Sequence, residues 1–177
     1  MDFAFVSGSA ALDFVGTVQG RRDGALDLLT TPTDLSDWAV ASGMLDAPTP
    51  ATRADLRTAV HLREAAYRLV LASAAGSLFD PEDCALVNRA AARTPVRPEL
   101  RPDGTVARHG TIASVLSALA RDTVVLLTEP PGQVKECAAA HCTRLYVDRS
   151  HRGSRRWCDM ARCGNRAKAA GYRSRHA

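Results

Sequence analysis

Lysine is almost missing from this chain: Lys135 and Lys168 stand beside 21 arginines. Such a bias can be compositional, so the net charge of +4 says little until its distribution is known. Aromatic residues are scarce as well, at 5%. Trp38, Tyr67 and Phe14 are therefore the candidates to line a ligand pocket, although aromatics at helical spacing usually fill core. Long apolar runs are absent; Thr123–Thr128 is among the longest, against the ~20 residues a membrane-spanning helix needs. The first residues carry Asp2 and Asp13 and no early basic residue, the reverse of a secretory leader, so a cytoplasmic protein without membrane contact is expected. Phosphate-loop, nucleophile-elbow and His-Glu-x-x-His patterns are missing too, and no enzymatic activity is expected.

What is present is a grid of cysteines. Cys137, Cys142, Cys158 and Cys163 read C-x4-C-x15-C-x4-C, two equally spaced pairs separated by enough chain for a hairpin. That is the pattern of a tetrahedral four-thiolate zinc site, one structural Zn2+ per chain. In a reducing cytosol, paired cysteines serve as metal ligands rather than disulfides. Neither pair has the C-x-x-C spacing of a redox centre. His141 and His151 are alternative ligands by type, but His141 directly precedes Cys142 and is badly placed to share its ion. The fifth cysteine, Cys84, lies alone beside Ala85, Leu86 and Val87 and reads as core.

Charge follows the same boundary. Residues 1–132 hold 12 arginines and 16 acids, a net of −4, whereas residues 133–177 hold 11 basic residues and 3 acids, a net of +8. Arg149, Arg152, Arg155, Arg156, Arg162, Arg166, Lys168, Arg173 and Arg175 crowd around and after the cysteines. Basic charge concentrated at one end suggests a polyanionic partner.

The chain up to Pro130-Pro131-Gly132 reads as a mostly helical α+β domain, residues 1–132, and the rest as a separate module, residues 133–177. Phe3–Val18 suggests one or two strands, or a strand entering a short helix. A helix from Asp34 to Ser42 is expected with Thr33 as cap. A second follows Thr49-Pro50 through Leu56, Val60, Tyr67, Val70 and Leu71. Asp80-Pro81 opens a third, Asp103-Gly104 marks a hairpin turn, and Ile112 to about Leu127 forms a fourth. In the module, Leu145–Val147 is a strand, Arg155–Trp157 its returning partner, and Gly164–Tyr172 a helix. Knuckle, hairpin, second knuckle and helix make a treble-clef-like order. Tyr146 and Trp157 would cover the metal.

The run Arg155–Lys168, RRWCDMARCGNRAK, strongly resembles the signature of the CGNR zinc finger, and Tyr146–Ser150 resembles the element before it. Ala11–Val15 and Thr31–Leu35 resemble the ABATE domain that usually precedes this finger; Gly16 stands where that pattern commonly has Asn. The resemblance covers nearly the whole chain and implies a bacterial, stress-related transcription regulator. Within it, Gly164 is expected to allow a close backbone approach or an unusual dihedral, and Asn165 to cap the helix or bond a thiolate. Arg166 is expected to grip a phosphate or a base, or else to pack on Trp157 or pair with Asp148 or Asp159.

The expected function is DNA binding by the finger, with the N-terminal domain sensing a small-molecule effector or forming a homodimer. The alternative is a zinc adaptor for RNA or protein, since fold does not choose among these.

Overall fold

The structure is a computed structural model that describes residues 3–130 and 132–175, with only the backbone described at residues 171 and 173–175. The chain opens on the short helix that was one of the expected alternatives, with no strand before it among residues 3–9. Gly8 turns it with φ +79°, and Ser9 then caps α1, Ala10–Val15, its side chain accepting from the Leu12 amide. The amides of Val6 and Ser7 are bound by the Asp13 carboxylate at 3.0 and 2.9 Å. Those donors are therefore lost to any ladder. The first strands are β1, Val18–Gln19, and β2, Leu26–Asp27, paired antiparallel.

Helix α2, Pro32–Ala41, starts earlier than expected. Its cap is Thr31, not Thr33: Asp34 reaches back to the Thr31 amide while Thr31 accepts from the Asp34 amide, and Pro32 needs no amide partner in the first turn. Helix α3, Arg53–Ala74, begins later than Thr49-Pro50, because Thr52 and Asp55 form the same reciprocal cap. The Thr49 carbonyl instead accepts from Ser36 Oγ at 2.8 Å. Helix α4, Pro81–Ala91, is capped by Asp80 as the sequence indicates. β3, Arg97–Leu100, and β4, Val106–His109, form the hairpin around Asp103-Gly104, and α5 spans Ile112–Leu126.

These helices enclose one core containing Phe14, Leu35, Trp38, Leu62, Leu69, Ile112, Val115 and Leu119, with Cys84 packed at its margin. Burying each large aliphatic chain contributes roughly 1.5–3 kcal/mol. Phe14 and Trp38 are both 1% exposed and 5.2 Å apart between ring centroids, and Tyr67 lies under the Arg21 guanidinium at 4.0 Å. The three aromatics are thus packing residues and line no pocket together. No helix among the described residues is long and apolar enough to cross a membrane.

A second core joins the two halves of the chain. Leu12 of α1, Val70 of α3 and Leu126 of α5 pack on Leu145 and Val147, and the Val147 amide donates to the Ser7 carbonyl at 2.8 Å. The C-terminal module is fused to the helical body.

Candidate metal centre

Two short strands build the first half of the site. β5, Val134–Glu136, pairs antiparallel with β6, Leu145–Val147. This corrects the expected partner: Arg155–Trp157 is not a strand, and the ladder runs instead from the segment before the first cysteine. The Cys137 amide continues that ladder, donating to the Arg144 carbonyl at 3.0 Å. The hairpin tip Cys137–Cys142 is the first knuckle, closed by His141 in the left-handed region at φ 64°.

The second half starts at Cys158, whose amide donates to Cys137 Sγ at 3.4 Å. Asp159 caps a π-helical turn, Met160–Gly164, by accepting from the Ala161 amide at 2.9 Å. Helix α6, Asn165–Arg175, follows at once, so Cys163 sits where amide dipoles favour a thiolate.

All four sulfurs lie within 4.8 Å of one another. Cys142–Cys158 is 3.8 Å and Cys158–Cys163 is 3.6 Å. The edge of a tetrahedron with ~2.3 Å zinc–sulfur bonds is about 3.8 Å, so the donor set fits zinc. The protonation balance points the same way. The Cys142 thiol is pulled down to about 5, chiefly by its hydrogen bond with Cys158. Cys158 is driven strongly upward by that same contact, and Cys163 rises to about 11 through burial and then the neighbouring charges. Four thiolates this close require a cation to share their charge. Cys137, Cys142, Cys158 and Cys163 would hold one zinc ion in a closed, structural site.

Neither histidine belongs to the cluster: His141 Nδ1 contacts Asp23 at 2.8 Å and His151 lies exposed in a 3-10 turn. Tyr146 is fully buried against the cluster, its hydroxyl donating to the Arg155 carbonyl at 2.8 Å. Trp157 is half-buried beneath the Arg156 guanidinium, 5.2 Å from its ring. Gly164 has an ordinary dihedral, and a Cβ there would meet Met160 Sδ at 2.7 Å. The close approach is to the end of the exposed, flexible Met160 side chain. Asn165 neither caps the helix nor bonds a thiolate through its side-chain amide; Nδ2 donates to the Ala161 carbonyl at 3.2 Å and braces the π turn.

The basic residues divide. Arg155 turns inward: its guanidinium donates to the carbonyls of Val6 at 2.9 Å, Trp157 at 2.9 Å, and Cys158, and lies 4.5 Å from the Tyr146 ring. Its place among the expected nucleic-acid contacts is therefore corrected to a bracket between the knuckle and the N-terminal segment. Arg149 reaches Glu129 at 3.3 Å and the Gly8 carbonyl at 3.4 Å, along the seam with the body. Arg152, Arg156, Arg162, Arg166 and Lys168 are exposed. Arg156 and not Arg166 covers Trp157, Lys135 pairs with Asp148, and no ion pair of Arg166 with Asp148 or Asp159 occurs among the described residues. The side chains of Arg173 and Arg175 lie outside the described part of α6.

Three residues that sequence reasoning passed over organise this module. Buried Asp148 accepts from Lys135 Nζ at 2.7 Å, Ser150 Oγ at 2.6 Å and the amides of Ser150 and Arg155 at 2.9 and 3.1 Å. Lys135 above all, then Ser150, holds that carboxyl well below the usual range. Asp148-Arg149-Ser150 was the available signal, an acid two residues before a hydroxyl, as in a side-chain-closed turn. Arg144 donates to the carbonyls of Ala4 and Gly16 at 3.0 and 3.2 Å and lies 3.8 Å from Asp13.

That last contact explains Gly16. A Cβ there would sit 2.3 Å from Arg144 Nη1, a guanidinium only 10% exposed. Gly16→Ala should destabilise the protein by roughly 1–3 kcal/mol through overpacking, and most of that loss should vanish in an Arg144→Met background. Thermal melts of the four proteins in this cycle test it; equal losses in both backgrounds would contradict it.

Comparison with known families agrees with this geometry. Residues 8–130 match the ABATE model, described as "Putative stress-induced transcription regulator", and residues 133–176 match the CGNR zinc finger. No curated protein matches the chain. With the family match spanning most of its length and the sulfur cluster in the expected place, the chain belongs to the ABATE family and carries a CGNR zinc finger.

Proposed function

We propose that the protein is a zinc-dependent, DNA-binding transcription regulator and not an enzyme. The observation that carries this reading is the density of exposed basic side chains on the finger. Arg152, Arg156, Arg162, Arg166 and Lys168 all present side chains to solvent, in a segment of net charge +8 attached to a body of −4. Zinc fixes the two knuckles and the start of α6, so the finger is rigid before it meets DNA, which lowers the ordering cost of binding. A four-thiolate zinc has no open position at which to activate water, which supports the non-enzymatic half of the reading.

Exposed arginine forks and a lysine suit phosphates first and base edges second. With ~5 phosphates neutralised, log K should fall against log salt with a slope of about −4 to −5. Lys168→Ala should weaken all sequences alike and reduce the slope by about one, whereas Arg166→Ala should also reduce preference among sequences. Fluorescence anisotropy with duplexes across a salt series measures both. A flat salt response would contradict the reading, and unchanged preference in Arg166→Ala would remove that residue's role.

Single-stranded RNA is the competing polyanion. Of the aromatics suited to base stacking, Tyr146 is buried and Trp157 is half-covered, leaving Tyr172 exposed on α6. One exposed ring is a poor stacking platform, which favours duplex DNA; competition between duplex DNA and RNA for the zinc-loaded protein decides it.

A further inference from the structure

One of the grooves left by packing of the helical body combines an apolar floor with a basic rim. Helices α3, α4 and α5 surround a cavity of about 320 Å³, within the range of small-ligand sites. Its floor is apolar: Leu62 and Leu116 are buried and Leu86 is half-buried. Its rim carries Arg89, Arg93 and His61, all exposed.

The rim carries an excess of positive charge, two guanidinium groups against the single carboxylate of Asp55. Arg68, also on α3, is paired with Asp83, and the buried Arg63 with Asp27. Arg89 and Arg93 have no ion-pair or hydrogen-bond partner for their guanidinium groups among the described residues. The acid lining the groove, Asp55, keeps its negative charge while it caps α3, its carboxylate accepting from the Thr52 amide and hydroxyl at 2.9 and 2.7 Å. One cation near the end of α4 would satisfy the helix dipole. Arg93 lies beyond Ala91, the last residue of α4. Two guanidinium forks lining one groove with an apolar floor match a carboxylate attached to an apolar body.

We propose that this groove binds a small organic carboxylate with an aromatic or aliphatic body. The body lies on Leu62, Leu86 and Leu116, and the carboxylate sits between Arg89 and Arg93. The site is independent of the DNA-binding reading, because it is built entirely from the helical domain, and either can fail without the other.

The test uses the full-length zinc-loaded protein with benzoate and octanoate, at ionic strength balanced with sodium chloride. Amide NMR spectra should show saturable shifts centred on Ala113 and Leu116 for at least one probe, with binding at least tenfold weaker for the neutral benzyl alcohol and 1-octanol. Arg89→Gln/Arg93→Gln should weaken binding at least tenfold while leaving zinc content and the unliganded melting temperature unchanged. Ala113→Phe, which fills the groove without touching the cations, should abolish it independently. Absence of saturable shifts with both acids would overturn the proposal. So would equal binding of the neutral analogues, or undiminished binding in both variants.

Discussion

Cys158→Ser should release the zinc and unfold the second knuckle together with α6. Cys158 is the hinge of the cluster, within 3.8 Å of Cys142 and 3.6 Å of Cys163, and its amide is bound to Cys137 Sγ. Its carbonyl also receives Arg155, the bracket to the N-terminal segment. A serine hydroxyl is a far weaker ligand than a thiolate, and the segment has little else to hold it. α6 is polar and mostly exposed, so coupled metal binding supplies its stability, on the order of 10 kcal/mol in small zinc modules. The damage should stop at a definable line. Leu145 and Val147 are packed on α1, α3 and α5, so β6 should stay folded while the arginine-rich chain beyond it becomes a protease substrate. Metal analysis with limited trypsin digestion reads both: one zinc and protection in the wild type, no zinc and cleavage after residue 148 in the variant. A metal-free variant with a protected C-terminus would contradict the account.

The second large loss is expected at Arg63→Met. Arg63 is 2% exposed inside the body, and its fork binds Asp27 at 2.8 and 2.7 Å, Thr17 Oγ1 at 3.1 Å and Glu64 at 2.9 Å. This network ties the β1–β2 hairpin to α3. Methionine keeps most of the volume but leaves Asp27 without its cation. Removing one partner of a buried pair costs about 3–5 kcal/mol, and the low end applies because the Asp27 side chain is 35% exposed. Glu64 keeps Arg21 at 2.6 Å. Burial pushes both carboxyls upward, and their arginine partners overcome it, leaving Asp27 and Glu64 below the ordinary range. Depressed carboxyls stabilise the fold above their unfolded pKa, near 4, and lose that contribution as pH falls through the folded value. The difference in melting temperature between wild type and Arg63→Met should therefore be full at pH 7 and shrink as pH falls below about 4. Adding Asp27→Asn should recover much of the loss at pH 7. A constant difference at all pH values would assign it to packing alone.

The metal ligands were legible in the sequence because their chemistry is local: two fixed spacings of thiols bring four sulfurs to one point whatever surrounds them. Helix existence was legible for the same reason, through periodicity and turn residues. Helix starts were less so. Thr31 competes with Thr33, and Thr52 with Thr49, and the outcome depends on which threonine has an aspartate three residues on, Asp34 and Asp55. The strand partner of Leu145–Val147 was misread because irregular backbone around the second knuckle obeys no period. Arg155 and Arg156 are neighbours of one type, yet one fork points into the protein and the other out; nothing in their spacing separates them. The fusion of finger and body rests on Ser7 meeting Val147, a pairing across most of the chain that no local pattern encodes. Gly16 became intelligible only with Arg144 in view.

The measurement that tests the central claim most directly is selection of genomic DNA fragments by the zinc-loaded protein at near-physiological salt. The account predicts a recurring enriched site, lost when Cys158 is replaced by serine; a two-fold symmetric site would indicate a dimer reading two half-sites. No enrichment from a protein that holds its zinc would contradict sequence-specific DNA binding and reduce the exposed arginines to a general polyanion surface.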